Sequence, residues 1–312
     1  MIIKENLPIS KFAWIRTLKG NGRVKKFYEP NTLQELINLC KGFYEKGLDF
    51  DLIGHTSNTL YTPDYVCERM VSTRKVRNYE IKEDCIECEC GTPIRQLSLA
   101  AIENGIKGFE GLVDLPGTVA AALYGHATCF NCDISALLEE ATILNQDGKM
   151  QIVKPEWFAF GCRSSALKRK EKKAIILKIK FKKEEGNRDE LKMISDYNHA
   201  RRRATQPEAK NSLGSIFVGS HKPTILNWSL SAITKIYGLF LNLIGKSPNE
   251  VAKRKKHLFF TFLGACDVEP YIPYWNWYQW KDERSHELFW KYYKLHQRLF
   301  KSSDFEIEIK RN

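Results

Sequence analysis

The chain has 312 residues and carries 49 Lys or Arg against 37 Asp or Glu, a formal net charge of +12, with 43% hydrophobic residues. That length buries a real core and suits two or three domains, while the positive balance suits anionic partners such as nucleotides. No recognisable nucleic-acid module accompanies the basic runs at 168–173 and 201–203, so no specific nucleic-acid partner is expected.

The first six residues lack a basic flank leading into a long apolar run, so no signal peptide is expected. Residues 24–28 read as a strand, 32–45 as a helix behind an Asn31 cap, and 50–53 as a second strand. That strand runs into Gly54-His55-Thr56-Ser57-Asn58-Thr59, where amides unshielded by large side chains, with hydroxyl and amide donors beside them, suit an anion. A tight turn with hydroxyl caps gives the same local pattern.

From 75 to 183 the pattern is of short strands, including 85–90 and 174–181, around one helix at 93–104. Alternation puts Cys88 and Cys90 on one strand face and Cys85 on the other, and Cys129-x-x-Cys132 has no second pair at finger-like spacing. The cysteines therefore read as reduced thiols in a cytoplasmic protein, with no metal site. A second segment of small residues spans 108–135; within it Leu115-Pro116-Gly117-Thr118 forms a turn that exposes amides, followed by Val119-Ala120-Ala121-Ala122. Two such loops suggest a long ligand carrying a diphosphate.

A polar segment at 184–210 reads as the connection to an aromatic C-terminal third. In the apolar window 225–244, Leu226, Leu230, Ile233, Ile236 and Leu243 recur near helical spacing, which predicts an amphipathic core helix rather than a membrane span. Shallow membrane contact is the lesser alternative. Leu288, Tyr292, Leu295 and Leu299 share a face of a further helix, and core packing is preferred there over a base-stacking platform.

Taken together, these loops resemble the UDP-N-acetylenolpyruvoylglucosamine reductase (UDP-N-acetylmuramate dehydrogenase) family. Its first loop, G-x-G-S-N-x-L, matches residues 54–60 with Thr56 at the second glycine; its G-L-E-x-L-x-x-I-P-G-T-V-G-G-A aligns without a gap to 108–122, including Gly111, Pro116, Gly117, Thr118 and Ala121. Its Y-R-x-S is similar to Cys162-Arg163-Ser164-Ser165, its Q-P and G-S-x-F to Gln206-Pro207 and Gly214-Ser215-Ile216-Phe217, and its closing L-x-x-E-V to 305–309. The departures are His126-Ala127-Thr128-Cys129-Phe130-Asn131 for N-A-G-A-Y-G, Cys162 for tyrosine, and Val218-Gly219-Ser220 after the serine motif.

The resemblance implies an α+β fold: a two-domain FAD-binding arrangement of the vanillyl-alcohol-oxidase type plus a third α+β substrate-binding domain. The divisions expected are 1–72 and 73–217 for FAD, the latter completed by 302–312, and 218–301 for substrate. It implies FAD on Gly54, His55, Thr56, Ser57, Asn58, Thr59, Gly111, Pro116, Gly117, Thr118 and Ala121. It also implies a hydride relay from NADPH or NADH to the enolpyruvyl ether of a UDP-sugar in cell-wall precursor synthesis. Arg163 would grip the substrate carboxylate, Ser215 donate the proton, and Glu308, or Glu306 on the same strand face, stabilise the enol. A monomer or weak oligomer without membrane partners is expected. The rival readings are a diverged relative acting on another nucleotide-linked or surface-polysaccharide sugar, and a flavin-free relative that keeps only the fold.

Overall fold

In a computed structural model that describes every residue except 17–19, 207–210 and 220–221, the chain forms two compact units, Met1–Trp14 with Gly20–Glu208 and Lys310–Asn312, and Ile15–Lys19 with Ala209–Ile309. Pro207 and Ser220 of the family motifs lie outside the described residues.

The first unit holds two larger sheets. In one, β1 (Ile2–Pro8) pairs antiparallel with β2 (Arg23–Glu29), which runs parallel to β5 (Val66–Ser72), itself parallel to β3 (Asp51–Ile53). The crossover from β2 to β3 is α1 (Leu33–Glu45), the right element for joining parallel strands. Its cap is Thr32 rather than Asn31: Thr32 Oγ1 accepts from Glu35 N, and the Glu35 carboxylate accepts from Asn31 N at 2.7 Å. This reciprocal box fixes the helix start one residue later than composition alone suggests. A short strand, β4 (Thr59–Tyr61), follows the first loop.

The second sheet is antiparallel, in the order β11 (Met150–Val153), β10 (Leu138–Asn145), β12 (Ala174–Lys182), β7 (Cys85–Glu89), β6 (Tyr79–Ile81). Against it pack α2 (Ile94–Glu103) and α3 (Val119–Tyr124), with Leu97, Ala101, Val119 and Leu123 fully buried beside Ile86, Ile143 and Phe181. A second core joins the two sheets: Leu36, Cys40 and Val71 meet Leu144, Ile175 and Leu177. All nine cysteines are free thiols, and no metal-ligand cluster occurs among the described residues. Cys88 and Cys90 do not share a face as expected, because β7 ends at Glu89 and Cys90 turns into the inter-sheet core.

The polar segment after β12 is a second departure from expectation. It is not a bare connection but α5 (Arg188–Thr205), capped by Asn187, which accepts from Asp189 N and Glu190 N. Leu191, Ser195 and Asn198 form its buried stripe, packed on α2. Only a narrow stripe faces the core, so composition hides the helix.

The second unit pairs β13 (Ser212–Ser215) with β14 (Trp277–Gln279) and adds α6 (Ile225–Leu243), α7 (Pro248–Phe262) and α8 (Ser285–Leu299) before β15 (Glu308–Lys310). Leu288, Tyr292, Leu295 and Leu299 are buried, with the rings of Tyr278, Trp280 and Phe289 packed around them and Tyr278 stacked on Tyr292. The core-helix expectation for 225–244 is overturned: Leu230 is buried, whereas Leu226, Ile233, Ile236 and Leu243 face solvent. Asn227, Thr234 and Gly238 occupy the inward face instead, and Gly238 lets the Lys255 stem of α7 cross close by.

The chain's end is tied to the first sheet. Lys310 Nζ lies 2.7 Å from Asp51 Oδ1, Tyr65 Oη–H donates to the other carboxylate oxygen, and Thr62 N donates to Lys310 O. Burial alone would raise Asp51; the Lys310 charge and the hydrogen bonds from Lys310, Tyr65 and Cys67 outweigh it and hold the carboxyl below its usual value. The resulting stabilisation is present in full above the unfolded value of about 3.9 and is lost as pH falls through the lower folded value. Asp51→Asn is expected to cost about 1–2 kcal/mol at pH 7 in urea unfolding, with the gap to wild type narrowing once pH drops below about 4.

Candidate active site

The first loop leaves β3 at Gly54, and the second runs from Leu115 into α3. They meet. Ser57 Oγ–H donates to Pro116 O at 3.1 Å, and a Cβ placed on Gly54 would lie 2.7 Å from Thr118 Oγ1. Only glycine permits that approach. Thr118 caps α3 by accepting from Ala121 N, and the next amides are already bonded, Val119 N to Thr92 O and Ala120 N to Cys90 O. Among the described residues, the backbone N–H groups of His55, Thr56, Ser57 and Gly117 donate none of the hydrogen bonds found, so these amides, rather than the helix start, are left for an anion.

Braces hold the first loop in place. Arg74 donates from Nε to Gly54 O at 2.8 Å and from Nη2 to Phe12 O at 2.7 Å. Thr56, at the family's second glycine, has φ of 58° and keeps the left-handed turn a glycine would make. Its buried Oγ1 accepts from Trp14 N at 2.9 Å, a bond glycine could not form. Thr59 N closes the turn onto Thr56 O. Burial, aided by the Arg74 and Arg77 charges, lowers His55 below its usual value and keeps the ring neutral near pH 7.

Arg163 sits at the tip of a hairpin turn in which Gly161 and Ser164 exchange both backbone hydrogen bonds. Its φ is 53° and its Nη1 donates to Thr128 O at 2.9 Å. Three contacts tie this turn to the end of α3 and the segment that follows it: that bond, Ser165 Oγ–H to Tyr124 O at 2.7 Å, and His126 Nδ1–H to Gly161 O at 2.5 Å. The other ring nitrogen of His126 lies 3.0 Å from Asp133 Oδ1. Burial works against ionisation of Asp133, yet its hydrogen bonds from Ser135 and the His126 contact lower its carboxyl overall.

The hairpin of β8 (Thr128–Cys129) and β9 (Cys132–Asp133), followed by the short helix α4 (Ile134–Leu137), thus replaces glycines with a braced turn. Asn131, at the family's last glycine, has φ of 64°, which Asn tolerates well. Gly111 packs under this hairpin, its N–H donating to Cys132 Sγ at 3.1 Å. Above it, α5 brings Arg202 to Cys129 Sγ at 2.8 Å and His199 to Asp114 at 2.8 Å.

Ser215 and Glu308 belong to the second unit. Asn276 Oδ1 accepts from Ile216 N and Phe217 N at 3.0 and 2.7 Å while its Nδ2 donates to Phe217 O, which fixes the strand beyond Ser215. Phe217 bridges Phe305 antiparallel, and Glu306 N donates to Ile216 O. Ser215 itself ends β13, where its partner is Trp277 of β14, and Glu308 opens β15.

Sequence reading missed Arg74, His126, Arg202 and Asn276. Arg74 and Asn276 carry no motif, so nothing marked them. The cap Asn187 with acids in the first turn was a signal for α5, and hence for Arg202.

Open loop amides, a glycine contact that excludes any side chain, and an exposed Ala121 at the start of α3 fit a dinucleotide diphosphate. A family model described as an FAD binding domain matches residues 24–154, the segment holding both loops. The fold and site therefore define an FAD-binding flavoprotein. The chain is 33% identical over 213 residues to the UDP-N-acetylenolpyruvoylglucosamine reductase of Caldicellulosiruptor saccharolyticus, covering 67% of each chain. It is 28% identical over 213 residues to the enzyme of that name from a Synechocystis species, again covering 67% of each. The crystal structure of UDP-N-acetylenolpyruvylglucosamine reductase from Thermus caldophilus matches with a TM-score of 0.70 at 17% identity, covering 99% of this chain and 100% of that one, a likeness of fold. The chain belongs to the UDP-N-acetylenolpyruvoylglucosamine reductase family and is an FAD-dependent oxidoreductase.

Gly54→Ala is expected to drive the loops apart, at about 1–3 kcal/mol, and to weaken FAD retention about tenfold or more. Adding Thr118→Ala removes the clashing hydroxyl and should recover part of that loss, although Thr118→Ala alone costs about 1 kcal/mol as a lost cap. Bound flavin per chain across the four proteins reads this coupling.

Proposed function

We propose that the chain reduces the enolpyruvyl ether of a UDP-amino sugar with hydride from NADPH or NADH, in cell-wall precursor synthesis in the cytoplasm. The observation that carries this reading is the meeting of the two loops at Ser57, Pro116, Gly54 and Thr118 in a chain of this family. Residues 1–72 and 73–217, with 302–312, serve the cofactor and 218–301 the sugar, and the protein acts as a monomer or weak oligomer.

FAD supplies hydride-transfer chemistry when bound. His55, Thr56, Ser57 and Gly117 offer amides to its diphosphate, with Gly54, Asn58, Thr59, Pro116, Thr118, Ala121 and Gly111 shaping the loops that hold it. Arg163 presents a guanidinium to the substrate carboxylate, whose paired oxygens match paired N–H donors. The Thr128 anchor and the His126 brace fix the turn that carries it, so less entropy is lost on binding. Ser215 Oγ–H gives its proton to the substrate carbon next to the carboxylate, and Glu308 stabilises the enol, with Glu306 the alternative.

The purified protein is expected to be yellow, to bleach with NADPH under anaerobic conditions, and to regain colour with UDP-N-acetylglucosamine enolpyruvate. Regained colour only with a different nucleotide-linked sugar would favour a diverged substrate. Ser215→Ala should leave the bleaching rate unchanged and slow recolouring by about 10²–10⁴-fold. Wild-type speed in both halves would remove Ser215 from the mechanism.

A further inference from the structure

Helix α6 is amphipathic in the reverse of the usual sense. Its inward face, against α7 and α8, carries Asn227, Leu230, Thr234, Gly238 and Leu241. Its outward face carries Ile225, Trp228, Ile236, Leu239, Phe240 and Leu243, exposed by 86, 71, 69, 64, 55 and 86%. At 100° per residue these six share one sector of the helix, and no charged residue interrupts that sector along about 28 Å. Scattered exposed apolar residues are ordinary on a protein surface; a continuous ridge marks a binding face.

What surrounds the ridge identifies its occupant. Lys235 flanks it, Lys246 follows it, and α7 exposes Lys253 and Arg254. From 222 to 266 the sole acid is Glu250, and it is already shared by Lys246 at 3.5 Å and Arg254 at 2.8 Å. At the helix start an open furrow of about 470 Å³ runs between Ile225, Trp228 and Ala232, with Lys301 at its edge. The ridge is largely aliphatic, and its cations are mostly lysines, which protein interfaces disfavour and membrane-surface helices favour. Lysine stems can lie along apolar surface while their ammonium groups reach phosphates. No helix among the described residues is long and apolar enough to cross a membrane, so a helix of this kind lies in the plane of the surface.

We propose that α6 docks the protein on an anionic lipid surface, with the Ile225–Leu243 ridge in the acyl boundary and the α6–α7 lysines on the lipid phosphates. The contact is peripheral and independent of the chemistry assigned to the flavin loops.

Sedimentation of the intact flavin-loaded protein with phosphatidylcholine vesicles, with and without about 30 mol% phosphatidylglycerol, tests this. Binding should be about tenfold stronger to the anionic vesicles and should fall as salt rises. Leu239→Asp with Leu243→Asp should weaken it by at least about tenfold while flavin content, which reports the fold, stays unchanged. Lys253→Glu should lower binding to anionic vesicles alone. Absence of binding to either vesicle overturns the proposal, as does binding that the double variant leaves intact, which would mark a diffuse charge effect. A dimer in analytical ultracentrifugation that the double variant dissolves, without vesicle binding, would assign the ridge to a second copy of the chain and equally overturn it.

Discussion

The contact between the loop after β3 and the loop before α3 is the constraint on which the rest of this protein depends. One hydroxyl-to-carbonyl bond, from Ser57 to Pro116, and one glycine contact, Gly54 against Thr118, bring together segments some sixty residues apart in the chain. The two sheets that deliver those loops share a core through Cys40, Val71, Leu144 and Ile175, so packing of the sheets backs the hydrogen bonds that brace the loops. Amides left without internal partners in such a place cost stability, which an anionic ligand returns when it binds.

Where glycines of the family pattern are missing, the backbone keeps its shape at a price met by hydrogen bonding. Thr56 holds a left-handed turn through its bond with Trp14, and Asn131 holds another in a residue type that tolerates it. Arg163 is left-handed too, and its turn is bound to its neighbours by His126, Ser165 and the Thr128 carbonyl. Such strain persists only where the surroundings over-determine it, and here it lies beside the groups assigned to chemistry.

Much of the first unit was legible in the sequence because its signals are local. Strands at 24–28, 50–53 and 174–181 and helices at 32–45 and 93–104 follow alternation, spacing and capping, and both loops are marked by small residues in runs. Two signals misled. The stretch 184–210 is so polar that its narrow buried stripe of Leu191, Ser195 and Asn198 escaped notice, and with it the arginine that reaches Cys129. In 225–244 the helix was real but its inward face was misplaced, with Leu230 buried and Leu226, Ile233, Ile236 and Leu243 facing solvent, since periodicity alone does not tell which side meets the core. Side-chain braces such as Arg74 and Asn276 depend on distant carbonyls and amides, which no local pattern announces.

The central claim is that both loops together hold the diphosphate of FAD. A crystal structure of the flavin-bound protein tests it most directly. The account predicts diphosphate oxygens within about 2.7–3.2 Å of backbone amides from both the Gly54–Asn58 and the Pro116–Thr118 segments. A diphosphate bound by one loop alone, or placed elsewhere in the protein, would contradict it.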